Sequence, residues 1–270
     1  MNMKQEDIEF LHSAVSFFER PTSFTRALSG LGSIVEGSFA KLPDSIKSRA
    51  MTASRKAIEK CLDVALRTIS EDTRSNRSAH TIATGLTGAV SGFMGPLALA
   101  VELPISTALM MRSIAATAQE YGFDPKSPEI VTECLFVFAI GGPSKNDDGM
   151  DSSYLTSRLA LSSLMRKATA SLLEIPAKQL LLGLEKDAAP AVLRLVAVVS
   201  ETFGVRVSQK FVAQLAPVVG AAGGAAINVA FSNFFGEAAK FHFGMKRLEM
   251  TYGAEIVQAS YREELARLKK

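Results

Sequence analysis

Apolar residues recur every three to four positions along most of the chain, and strict alternation is hard to find. The pattern predicts helices and almost no strand. Ile8, Leu11, Val15 and Phe18 share one face of a first helix over residues 1–19. Pro21 ends it, because the residue before a proline is pushed out of helical geometry. Ile46, Met51, Ile58, Leu62, Ala65 and Ile69 trace the inner face of a helix over residues 44–70, with Lys and Arg outside. Further helices are predicted over residues 25–39, 81–94, 97–121, 128–140, 154–173 and 187–215, and a charged amphipathic one over 240–270. Residues 71–78 and 141–152 are polar loops, and residues 176–184 form a short helix or an insertion. Ser127-Pro128-Glu129 has the chemistry of a helix start: a capping serine, proline at the first position and an acid on the dipole. The fold class is all-α. With no repeat and no convincing linker, residues 1–270 read as a single multi-helix bundle, with 1–39 as a candidate N-terminal helical extension.

Residues 81–101 and 211–236 carry no ionisable side chain, and each is about as long as a bilayer-spanning helix. Gly85, Gly88, Gly92 and Gly95 fall on one helix face, and Ala213, Ala216, Gly220, Gly223 and Gly224 form a second stripe. Such stripes let two helix axes approach closely, in a core or in a membrane. Neither segment is rich in Leu, Ile and Phe or flanked by a clean basic cluster, so packing at the centre of the bundle is the simpler reading. A hairpin that exchanges between the core and a bilayer is the alternative.

Composition narrows the chemistry. The chain is 47% hydrophobic but only 7% aromatic, without Trp, the palette of packed helices. A net charge of +3 is too small to point to nucleic acid, and it suits mild attraction to an anionic membrane surface. Cys61 and Cys134 both lie in apolar helical patterns, which favours free thiols and a reducing, cytoplasmic setting. No HExxH, paired CxxC, GxSxG, Walker A loop or GxGxxG after a strand occurs. Residues 141–151 are acidic but lack the spacing of a calcium loop, and the Ser38-x-x-Lys41 match is weak. No cofactor and no metal site is expected.

Polar groups in apolar surroundings are the remaining candidates. Glu102 ends the first uncharged run and precedes Leu103-Pro104, where proline should kink or restart the helix. Arg112 lies about 15 Å further along, so Glu133 is the better partner for it. His12 reads as a surface residue, His80 as a cap, and His242, in Phe241-His242-Phe243, as a hydrogen-bonded core histidine.

The run from Gly95 through Glu102-Leu103-Pro104 to Arg112-Ser113-Ile114 resembles the EcsC protein family. So do Pro128-Glu129 leading to Glu133-Cys134-Leu135, Phe138 to Gly142 before an acidic loop with Tyr154 and Arg158, the segment from Gly220 to Asn228, and Phe241-His242-Phe243 with Arg247-Leu248-Glu249 and Tyr252-Gly253. The resemblance covers nearly all of the chain from about residue 40. It implies a helical protein, and since the founding member is encoded beside ABC transporter subunits, it implies a transporter as a partner. Glu102, Arg112, Glu133, Tyr154, Arg158, Asn228 and His242 match the family pattern, as a ligand site or a buried polar network. The expected function is non-enzymatic: binding of a lipid or similar apolar molecule, or reversible attachment to the inner face of a membrane. A hydrolase using Glu102, Glu133 and His242, with or without a metal, is the competing expectation.

Overall fold

The computed structural model describes residues 3–19, 44–70, 95–140, 153–174, 190–215 and 220–269. They form eight helices and no strand: α1 (Gln5–Glu19), α2 (Asp44–Ser70), α3 (Gly95–Glu120), α4 (Pro128–Val137), α5 (Ser153–Glu174), α6 (Pro190–Leu215), α7 (Gly220–Tyr252) and α8 (Ala254–Leu268). The helices predicted over 25–39 and 81–94, and the loops at 71–78 and 141–152, lie outside the described residues. No helix among the described residues is long and apolar enough to cross a membrane.

The short helix α4 is the hub. It packs against α2, α3, α5, α6 and α7, and every residue from Ile130 to Ile140 is buried. Its sequence explains this, since Ile130, Val131 and Cys134 to Ile140 are apolar on all sides and leave little face to offer water. Ser127 occupies the N-cap position, but its hydroxyl makes no capping hydrogen bond. At the other end, Phe138, Ala139 and Ile140 each donate to the carbonyl three residues back, so the helix tightens before it stops. Around this hub, α2 packs on α3 and α6, α5 on α6, and α3 on α7. The two terminal helices pair with each other, and α1 also rests on α7 and α5.

The helix predicted over residues 97–121 is observed as α3, which runs through Pro104 without restarting there. Leu103, Thr107, Met110, Met111, Ile114 and Ala118 are buried along one face, and that packing carries the helix past the missing donor. No separate terminal helix begins at Lys240. α7 runs unbroken from Gly220 to Tyr252, because Phe231, Phe234, Phe235, Ala238, Ala239, His242, Met245 and Leu248 keep one buried face in phase. The exposed charges from Glu237 and Lys240 onward leave that buried face uninterrupted. The chain turns instead at Gly253, with φ 92°, a conformation that favours glycine.

Gly85, Gly88 and Gly92 lie outside the described residues, as do the surroundings of Gly220, Gly223 and Gly224. Among the described residues the close approaches occur at two glycines within the helices. A Cβ at Gly204 would strike the Met51 sulfur, and one at Gly244 would strike the Phe10 ring. Phe10 is held against Tyr121 and Phe241, so it cannot simply swing away. Gly244→Ala is predicted to destabilise the fold by about 1–3 kcal/mol. Gly236→Ala, in the same helix with nothing within 4 Å, should stabilise it by up to about 1 kcal/mol. Urea denaturation of the two variants checks the opposite signs.

Candidate functional site

Glu133 projects from α4 and meets two residues of α7. Its Oε2 accepts from His242 Nε2 at 3.0 Å and its Oε1 from Lys246 Nζ at 3.0 Å. Lys246 also donates to Glu129, one turn back on α4, at 2.7 Å. On its other side His242 Nδ1 lies 3.0 Å from the Tyr154 hydroxyl of α5. Arg158, one turn further along α5, donates to that hydroxyl at 3.1 Å and to Glu249 of α7 at 2.7 Å. Three helices are thus tied by one polar string from Glu129 to Glu249. His242 has no solvent exposure and Tyr154 only 1%.

The donors and acceptors assign the protons. The Glu133 carboxylate can only accept, so His242 Nε2 carries a hydrogen and donates it. Burial keeps the imidazole neutral, which leaves Nδ1 as an acceptor, and the Tyr154 hydroxyl donates to it while its oxygen accepts from Arg158. Burial pushes His242 below its ordinary value against the pull of Glu133, and the charges of Arg158 and Lys246 push the same way. Burial works to raise Glu133, but the His242 hydrogen bond and the Lys246 and Arg158 charges overcome it and hold the carboxylate well below its usual range. Burial pushes Tyr154 up to about 12 despite Arg158, so the phenol stays protonated. Burial likewise raises the thiol of Cys134, next to Glu133.

An aromatic shell seals the string. The Tyr154 ring stacks on Phe18 at 4.1 Å between centroids and 4° between planes, and on Tyr261 of α8 at 5.8 Å. Phe136 of α4 lies 5.2 Å from the His242 ring. Glu19, at the end of α1, accepts from the Tyr261 hydroxyl at 2.7 Å and from the Tyr154 backbone N–H at 3.4 Å. His12 and Glu264, 2.6 Å apart, pin α1 to α8.

Among the described residues an open groove touches the string. It lies between α4 and α5, encloses about 410 Å³, and is lined by Glu129, Thr132, Glu133, Arg158, Ser162, Met165, Arg166, Thr169, Ala170 and Leu173. Thr132 and Thr169 meet across it at 3.1 Å. Glu133 and Arg158 therefore belong both to the buried string and to the groove wall. Among the described residues no group of three His, Cys, Asp or Glu side chains is arranged to hold a metal.

The structure brings together four of the residues singled out in the sequence: Glu133, Tyr154, Arg158 and His242. Arg112 is corrected: it is exposed and does not partner Glu133. Met110, Met111 and Ile114 take the buried face of α3, and one residue past Met111 the helix has turned outward. Glu102 and Asn228 sit in α3 and α7, but their side chains lie outside the described residues, as does His80. Lys246, Glu129 and Glu249 were missed as site residues. Their signal was helical spacing, since Glu129 with Glu133, Tyr154 with Arg158, and His242 with Lys246 and Glu249 each share a face.

Fold and site together define an all-helical protein organised on a buried glutamate–histidine–tyrosine string. Residues 27–248 match the EcsC protein family, and the chain belongs to it. No curated protein and no solved structure matches. α1 and α8 both fall outside the matched residues, so Phe18, Glu19 and Tyr261 close over the string from beyond that region.

Glu133→Ala leaves His242 Nε2–H and the Lys246 ammonium facing a cavity. It should cost about 3–5 kcal/mol of stability, whereas Glu129→Ala, at a side chain 59% exposed, should cost under about 1 kcal/mol. Chemical denaturation of the two variants checks the ratio.

Proposed function

We propose that the protein is a non-enzymatic binder of an amphipathic, lipid-like molecule, held in the groove between α4 and α5. The observation that carries this is the order of side chains along α5. The lining passes from Arg158, Ser162 and Arg166 to Thr169, Ala170 and Leu173, with Met165 beside them. A groove of about 410 Å³ falls in the range of roughly 300–1,000 Å³ that small ligands occupy.

The charges have different availability. Glu133 is engaged by His242 and Lys246, Glu129 by Lys246, and Arg158 by Glu249 and Tyr154. Arg166 makes no ion pair among the described residues. It is the cation ready to receive an anionic head group, while Met165, Ala170 and Leu173 suit an acyl chain.

A hydrolase is the alternative, favoured by the contact between Glu133 and His242 at the groove wall. Weighing against it, His242 has no solvent exposure and both of its ring nitrogens are already engaged.

Native mass spectrometry after gentle purification, followed by titration with a fatty acid and a lysophospholipid, tests the binding reading. The protein should carry or take up one such molecule. Arg166→Glu should fold normally and weaken binding by about tenfold or more, the worth of one charge-assisted hydrogen bond. A protein that arrives empty and takes up neither probe would contradict it.

A further inference from the structure

Leu159, Arg166 and Leu173 follow one another at seven-residue spacing on α5, within about 40° of a single helix face at 3.6 residues per turn. Leu159 is 56% exposed and Leu173 70%. Ser163 and Ala170, on the same face, are small and exposed, and Lys167 stands beside them. The only acid on α5 is Glu174, its last residue. Neither Arg166 nor Lys167 forms an ion pair among the described residues. The stripe spans about 21 Å along the helix, and two of its members, Arg166 and Leu173, also line the groove. The lip of the groove and the exposed stripe are therefore the same edge.

We propose that this face of α5 docks on the surface of an anionic bilayer, with Leu159 and Leu173 inserted at the boundary between head groups and acyl chains and Arg166 and Lys167 among the phosphates. The proposal rests on the groove being a lipid site and adds where its ligand comes from. Charge complementarity selects this occupant. Two uncommitted cations flanked by exposed leucines, with no acid before the helix end, match a negatively charged interface. The acids on the opposite wall oppose it little, since Lys246 bridges Glu129 and Glu133 and leaves that wall one net negative charge against the two cations of the docking face. Docked in this way, the groove mouth opens onto the lipid layer, and a molecule can pass from bilayer to groove without crossing water.

Leu159 and Lys167 are on the face but do not line the groove, so the surface can be tested apart from the pocket. Co-sedimentation is measured with mixed phosphatidylcholine–phosphatidylglycerol vesicles, with pure phosphatidylcholine vesicles as reference, alongside uptake of a soluble lysophospholipid. The wild type should bind the mixed vesicles more strongly than the neutral ones, and less so as salt is raised. The double variant Leu159→Asp, Lys167→Glu should lose roughly tenfold or more of its vesicle partitioning while taking up the soluble probe as the wild type does. Undiminished vesicle binding by that variant, or a wild type that takes up the soluble probe yet ignores mixed vesicles, would overturn the docking face alone. A wild type that binds neither would overturn the groove reading with it.

Discussion

Everything in the arrangement turns on one carboxylate in an unfavourable place. Glu133 sits on α4, a helix buried along nearly its whole length, where an unpartnered charge would cost far more than the helix gains by packing there. α7 makes the position tenable by placing His242 and Lys246 one turn apart, each 3.0 Å from a Glu133 oxygen. The carboxylate thereby fixes both the rotation of α7 and its register against α4. His242 must in turn satisfy its second nitrogen, which it does through Tyr154 of α5. One buried charge thus sets the mutual position of three helices, a use of polar groups for specificity more than for stability.

The string ends where function can begin. Glu133 and Arg158, near its two ends, reach the groove wall, while the middle, His242 and Tyr154, stays dry. The wall is consequently held rigid by partners that no ligand has to displace. Binding groups supported in this way are pre-organised, which limits the ordering cost on association. The terminal helices complete the enclosure: Phe18 and Tyr261 both stack on the Tyr154 ring, and Glu19 bonds to Tyr261 and to the Tyr154 backbone. They lie outside the family-matched residues, which contain every member of the string except Glu249.

Much of this was legible in the sequence where burial and helical period coincide. The bounds of α2 and the all-helical class follow from apolar spacing alone, and His242, flanked by two phenylalanines, reads as a core residue on sight. What periodicity cannot supply is which helix faces which. Pairing Glu133 with Arg112 was plausible by composition, yet one residue beyond Met111 rotates a side chain by about 100° and turns Arg112 to solvent. The true partner, Lys246, lies 113 positions away in sequence, and only its spacing from His242 hinted at it. The end of α7 was misplaced for a related reason. Charge appears on the outer face from Glu237 while the buried face continues through Met245 and Leu248 to Tyr252, and the outer face does not decide where a buried helix stops.

The central claim is that His242 is a neutral imidazole carrying its proton on Nε2, donated to Glu133, and accepting from Tyr154 at Nδ1. Nitrogen-15 NMR of the histidine side chains, followed from pH 7 to pH 5, reads this directly. The account predicts one ring still in the neutral Nε2–H form as pH falls past 6.5, where an unperturbed imidazole takes up its second proton, and titrating only at lower pH. A His242 ring that is doubly protonated at neutral pH, or that carries its proton on Nδ1, would contradict the string and the organisation built upon it.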